Sequence, residues 1–196
     1  MKGHFLMGID EAGRGPLAGP VAVGLVMVRS GFNIKKHFPG VADSKQLSEK
    51  KREEIYALLC ARKKAGDVLF CVRFASNTHI DEHGITRAVR HSIYKGVRTL
   101  APSPKGVRIM LDGLLHAPEE YKQKTIVHGD VTEPIISLAS IAAKVERDRL
   151  MKKLAKKYPN YGLEVHKGYG TKKHREAIRR FGLSGIHRKS FCTKLI

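Results

Sequence analysis

Cysteine is scarce in this chain of 196 residues. Cys60, Cys71 and Cys192 are odd in number and show no C-x-x-C spacing, which excludes a disulfide framework and a zinc ribbon. Long apolar runs are missing too. No stretch reaches the length of a membrane span, and Met1 to Ile9 lacks the architecture of a signal peptide, so a reducing, cytoplasmic setting without a membrane is expected. Internal repeats and low-complexity segments are absent. The third shortage is of acids: 18 Asp and Glu face 37 Lys and Arg, for a formal charge of +19 and a pI near 10.1. Such a surplus attracts polyanions, of which nucleic acid is the commonest for a basic protein. Sixteen Lys or Arg against four acids lie between Lys144 and Ile196, so a polyanion backbone is expected along the C-terminal part, with affinity falling as salt rises.

The few acids are placed unevenly. An apolar run from Phe5 to Ile9 delivers Asp10 and Glu11 into Ala12-Gly13-Arg14-Gly15-Pro16-Leu17-Ala18-Gly19-Pro20, the pattern of a strand that ends at a site. Successive side chains on a strand point to opposite faces, so Asp10 and Glu11 are expected to serve one ion only if the strand stops between them. Gly13 and Gly15 let backbone approach a ligand closely, with Arg14 between them as a phosphate partner. A dinucleotide loop is rejected: Gly13, Gly15 and Gly19 miss G-x-G-x-x-G by one, and Pro16 and Pro20 stand where its helix would run. Two further apolar runs end in carboxylates, Val107 to Leu111 before Asp112-Gly113, and Thr125 to Val127 before His128-Gly129-Asp130. Each alone is an ordinary turn or helix cap. Their repetition points to a cluster.

Elsewhere, Val21 to Val28 reads as a strand covered on both faces, Arg29 to Gln46 as loop or a short edge strand, and Val68 to Ala75 as a strand. Ser48 is expected to cap a helix that Gly66 ends. Asn77 to Leu100 has helical spacing interrupted by Gly84 and Gly96. Thr132 to Lys157 is a long amphipathic helix with Lys144 and Asp148 on one face, and Thr171 to Phe181 a second, basic one. His79-Ile80-Asp81-Glu82-His83 matches H-x-x-E-H, a zinc-peptidase motif, but a match this short arises by chance and solvated helix surface is the expectation. Tyrosines among the C-terminal lysines suit a nucleic-acid strand. For Tyr158 and Tyr161, packing between helices is at least as good a reading. With 42% hydrophobic residues the chain can bury one real core.

These stretches together resemble ribonuclease HII over nearly the whole chain. The matching segments are Gly8 to Pro20, Asp43-Ser44-Lys45, Leu111-Asp112-Gly113, Gly129-Asp130, Ala139 to Val145, Arg147-Asp148-Arg149, His166 to Thr171 and His187-Arg188. The related ribonuclease HIII has no Gly-Arg-Gly loop. At Val131 to Leu138 the chain departs from the family, which more often has small residues there.

The resemblance implies an α/β, ribonuclease H-like mixed sheet flanked by helices over 1–157, with a small basic helical part over 158–196 that packs on it or counts as the same domain. It implies hydrolysis of the RNA strand of RNA/DNA hybrids and nicking on the 5′ side of ribonucleotides embedded in duplex DNA, leaving 3′-hydroxyl and 5′-phosphate ends, in ribonucleotide excision and DNA replication. By position, Asp10, Glu11, Asp112 and Asp130 are the carboxylates expected to converge and hold two Mg²⁺ or Mn²⁺ ions. Gly13, Arg14 and Gly15 would read the ribose 2′-hydroxyl, Tyr169 would lie against the next sugar, and Ser44 and Lys45 would hold backbone phosphates. A monomer is expected.

Overall fold

The structure, a computed structural model, describes residues 4–41 and 47–195. Five strands form one mixed sheet in the order β3-β2-β1-β4-β5: β1 Phe5–Ala12, β2 Val21–Arg29, β3 Val68–Ala75, β4 Val107–Asp112 and β5 Lys122–Ile126. The first three pair antiparallel, while β4 runs parallel to β1 and β5 to β4. The helices are α1 Ile34–His37, α2 Glu49–Lys64, α3 Asn77–His83, α4 Ile85–Leu100, α5 Gly129–Thr132, α6 Pro134–Lys157, α7 Leu163–His166 and α8 Lys172–Phe181.

Strand alternation divides the core. Met7 and Ile9 of β1 with Val23, Leu25 and Met27 of β2 meet Val89, Ile93 and Val97 of α4 on one face. Val26 and Val28 meet α2 and α6 on the other, through Ile55, Leu59, Leu138, Ile141 and Val145. On the α6 face β1 and β2 carry Gly8 and Gly24, and the helix lies so close that a Cβ on either would stand 2.2 Å from the Ile135 carbonyl oxygen or 2.1 Å from that of Ala139. Removing two side chains from the sheet is what lets α6 settle beside the end of β1. A third apolar cluster, with Ala18, Met151, Tyr161, Leu163 and Ile178, joins the glycine-rich turn and α6 to the C-terminal helices.

Several boundaries follow local chemistry. Ser48 caps α2 by accepting the Lys51 N–H, and Thr171 caps α8 by accepting that of His174. Gly84, at φ 79°, breaks the expected Asn77 to Leu100 helix into α3 and α4. The expected helix from Thr132 is also two pieces, because Glu133 is extended between α5 and the Pro-initiated α6. Part of the expected loop between Arg29 and Gln46 forms α1. Tyr161 is buried in the third cluster, with Tyr158 packed against it, so both serve as packing groups between helices. The three cysteines are free thiols. Among the described residues no helix is long and apolar enough to cross a membrane.

Candidate active site

The carboxylates gather at the C-terminal end of the parallel strands. The β1–β4 ladder closes at Ile9 opposite Leu111, so Asp10 and Asp112 are the next residue on each strand. Asp112 accepts the backbone N–H of Asp130 on Oδ1 at 3.3 Å, which ties the start of α5 to the end of β4. Asp10, Glu11 and Asp112 line a cavity of about 520 Å³ together with Gly13, Arg14, Gly15 and Tyr169. Asp130 is 1% exposed and does not line this cavity; its backbone N–H meets Asp112. Ser44 and Lys45 lie outside the described residues. A larger cavity of about 810 Å³ opens at the other end of β1, beside Lys105, Lys122 and Lys124, away from the carboxylates.

One expectation is corrected. β1 does not stop between Asp10 and Glu11: it continues to Ala12, with Asp10 opposite Gly24 and Glu11 opposite Val23 on β2. The two side chains keep opposite directions, Asp10 toward Ser140 of α6 and Glu11 toward Thr86 and Val89 of α4. Both still reach one cavity because β4 has left the ladder by this point, so the space at the sheet's end opens to both faces. Asp10 Oδ1 accepts the Glu11 N–H at 2.7 Å.

The electrostatics of these groups are unbalanced. Burial pushes the Asp10 carboxyl up to about 8, and the charges of Glu11 and Asp112 push it the same way, while a Ser140 hydrogen bond pulls it partly back. Burial also raises Glu11, against the pull of Arg14, whose Nη1 is 3.6 Å from Glu11 Oε1. Burial disfavours the negative forms of these carboxyls, so a cation placed beside them, in addition to the Arg14, Arg52 and Lys144 side chains that line the cavity, would favour ionisation. An all-oxygen donor set suits a hard divalent cation, so the residues present fit Mg²⁺ or Mn²⁺. Among the described residues, the trio of His, Cys, Asp or Glu whose donor atoms lie within 4.8 Å of one another is on α3 instead, so the four carboxylates do not crowd a single point.

The glycine turn is held from behind by two buried arginines, Arg147 and Arg188, which therefore do not face a polyanion as the C-terminal charge surplus leads one to expect. Arg147 of α6 donates to the carbonyls of Pro20, Ala18 and Lys167 at 2.9, 3.4 and 3.1 Å. Arg188 donates to those of Gly13, Arg14 and Gly19 at 2.7, 2.7 and 2.9 Å. Burial lowers both guanidinium pKa values, that of Arg188 to about 10. Gly13 has a φ of 91°, and a Cβ there would stand 1.9 Å from Arg147 Nε. Gly15 faces open space.

Tyr169 is 45% exposed at the cavity, and its backbone rests on a chain of histidines. The Ser184 N–H donates to His187 Nδ1 at 2.9 Å, and His174 Nδ1 stands 2.9 Å from the Tyr169 carbonyl, which only accepts. His174 Nδ1 must therefore carry a proton, and the 3.2 Å contact between the two Nε2 atoms must run from His187 to His174. Beside them His166 accepts the Gly168 N–H on Nδ1 at 3.2 Å and donates from Nε2 to the Tyr161 carbonyl at 2.7 Å.

The sequence alone gives no place at the site to the histidines His174 and His187 or to Arg52 and Ser140, and it places Lys144, Arg147 and Arg188 only within the general basic surplus, although Arg52, Ser140 and Lys144 line the carboxylate cavity. The spacing of Ser140 and Lys144, one turn apart on α6, was the available signal for those two. A guanidinium buried among carbonyls leaves no periodicity to find.

Comparison with known proteins extends this picture. The family model described as Ribonuclease HII matches residues 7–194. The ribonuclease HII of Coxiella burnetii (strain Dugway 5J108-111) is 44% identical over 187 residues, spanning 95% of this chain and 88% of that protein. The ribonuclease H2 of Pyrococcus horikoshii OT3 superposes with a TM-score of 0.78 at 26% identity, covering 97% of this chain and 96% of its own. The ribonuclease HII of Archaeoglobus fulgidus, solved in a PCNA complex, does so with a TM-score of 0.76 at 26% identity and the same coverage. The chain belongs to the ribonuclease HII family, a family of nucleases that hydrolyse RNA in RNA/DNA hybrids.

Proposed function

We propose that this chain cleaves the RNA strand of hybrids, and nicks duplex DNA on the 5′ side of an embedded ribonucleotide, at the cavity where β1 and β4 end. Asp10, Glu11, Asp112 and Asp130 hold two divalent ions, Mg²⁺ or Mn²⁺. Bound there, such ions supply an activated water and positive charge on the leaving oxygen, giving 3′-hydroxyl and 5′-phosphate ends. The observation that carries this reading is the meeting of Asp10, Glu11 and Asp112 in one cavity, with the Asp130 backbone hydrogen-bonded to Asp112.

The chain's own groups select the substrate. The backbone of Gly13, Arg14 and Gly15 meets the 2′-hydroxyl, the group that separates ribose from deoxyribose. The exposed ring of Tyr169 lies against the following sugar, and Ser44 and Lys45 take phosphates of the backbone. The surface lysines and arginines of the C-terminal part draw the duplex in.

The test is incision of a labelled DNA duplex containing one ribonucleotide, in Mg²⁺ or Mn²⁺ and in chelator. Asp10→Asn and Asp130→Asn are expected to lose cleavage while still binding an RNA/DNA hybrid. Full activity in either variant, or in chelator, removes the two-ion assignment. Cleavage of hybrids with no incision at the single ribonucleotide removes only the second substrate.

A further inference from the structure

Away from the carboxylate cavity, His79, Glu82 and His83 of α3 bring three donor atoms within 4.8 Å of one another. Helix geometry produces this arrangement, since residues four apart stand one above the other, and the two imidazole rings have centroids 4.3 Å apart. The His83 ring is oriented by its own helix: Nδ1 stands 3.2 Å from the His79 carbonyl oxygen and donates to it, which leaves the lone pair on Nε2. A backbone carbonyl on one ring nitrogen is the usual way a protein fixes an imidazole whose other nitrogen binds a metal. The turn at Gly84 folds α4 back alongside, so that the His91 ring comes to 5.5 Å from that of His79.

We propose that His79, Glu82 and His83, with His91 as fourth donor, form a surface site for a borderline divalent metal ion, Zn²⁺ foremost, that clips α3 to α4. The donor set decides the metal. Imidazole nitrogens with one carboxylate favour Zn²⁺ over Mg²⁺, whereas the all-oxygen set at the sheet's end favours the reverse, so the two sites fill from different ions. Arg73 and Lys95 line the adjoining cavity with His79 and His91, and their charge opposes a cation. Binding at about micromolar Zn²⁺ is therefore expected rather than the far tighter binding of a closed structural site.

The clip would lie under a second junction. Asp81, between these ligands on α3, accepts the backbone N–H groups of Lys189 and Ser190 at 2.9 and 3.0 Å. Those residues follow Arg188, which holds the glycine turn. A metal that steadies α3 thus steadies the folded chain as a whole, by an amount that grows with the logarithm of its concentration above the dissociation constant.

The experiment is a calorimetric titration of Zn²⁺ into tag-free, chelator-treated and dialysed full-length protein with Mg²⁺ in excess, alongside thermal melts. One Zn²⁺ per chain and a raised melting temperature are expected. His79→Ala with His83→Ala should weaken binding by at least ~10-fold and abolish the thermal shift, while leaving cleavage in Mg²⁺ unchanged. His83→Gln is the milder variant should the double one melt early, and Asp10→Asn should keep the site. Unchanged Zn²⁺ affinity in both histidine variants, or loss of binding in Asp10→Asn instead, overturns the proposal. Unchanged affinity in His91→Ala removes His91 from the donor set.

Discussion

Arg188 and Gly13, 175 residues apart in sequence, are joined by a 2.7 Å hydrogen bond from the guanidinium Nη2 to the carbonyl oxygen. The same side chain holds the carbonyls of Arg14 and Gly19, so one planar fork fixes three points of the turn that faces the carboxylates. A lysine carries the charge but cannot reproduce three donors in a plane. Arg188→Lys is expected to keep the fold while lowering kcat/KM on a single-ribonucleotide duplex by about 100-fold, through loss of a positioned backbone. Arg188→Ala leaves three carbonyls without this partner and should cost on the order of 3–5 kcal/mol in chemical denaturation. Wild-type kinetics in Arg188→Lys would show that the turn needs no such grip.

The two glycines of this turn separate fold from recognition. Gly13 adopts a φ of 91° against Arg147, so Gly13→Ala meets both backbone strain and a clash and should lower the melting temperature. A side chain at Gly15 has open space around it, so Gly15→Leu should melt as the wild type does. If this backbone reads the 2′-hydroxyl, the leucine occupies the ribose position and incision at a single ribonucleotide falls at least ~10-fold. Parallel melts and incision assays check both variants, and a wild-type incision rate in Gly15→Leu would sink the assignment.

The histidine chain under Tyr169 gives the molecule an acid limit. Burial holds both rings below the ordinary 6.5, His174 at about 4, because each imidazole is needed neutral with one N–H and one lone pair. Between pH 6.5 and about 4 the unfolded chain takes up protons that the folded one refuses. This contribution to stability is therefore complete above 6.5 and lost as pH falls through that window. The raised Asp10 carboxyl works the other way, since the folded chain keeps that proton up to about 8, so the histidine part is read as a difference: between pH 6.5 and about 4 the melting temperature of the wild type should fall relative to that of His174→Asn, which has no ring to protonate. An equally steep dependence in that variant would place the sensitive groups elsewhere.

What the sequence shows of this fold depends on whether the physics is local. β2 and β3 are visible as apolar runs, and the Ser48 cap as a hydroxyl before a helical pattern, because each is settled within a few residues. β5 is visible only in part: Lys122–Ile126 reads Lys-Gln-Lys-Thr-Ile, and an edge strand needs little apolar alternation. The expectation for Asp10 and Glu11 differs from the structure for a geometric reason, since it compares the faces of an isolated strand and not those of a strand whose ladder with β4 has already closed. Arg147 and Arg188 are not distinguishable from the surface cations in the sequence, because a basic residue looks the same there whether it meets a phosphate or a carbonyl. The carboxylates of β1 and β4 were legible because apolar runs ending in Asp repeat along the chain.

Gly24 tests how the site is positioned. A Cβ there would stand 2.1 Å from the backbone carbonyl oxygen of Ala139, and backbone cannot rotate aside as a side chain does. Gly24→Ala must therefore lift α6 from the sheet, and with it Ser140 and Lys144, which line the cavity beside Asp10. Gly96 on α4 is the control, since the atoms nearest its added Cβ belong to the side chain of Leu25, at 2.4 Å, and not to backbone. Overpacking against a side chain typically costs about 1–3 kcal/mol, so Gly96→Ala should fall in that range and Gly24→Ala above it. Denaturant melts rank the two. Cleavage assays under conditions where both variants stay folded should show the larger loss in Gly24→Ala, because only that change displaces the helix that packs on Asp10. Equal losses would mean that α6 does not set the geometry of the carboxylates.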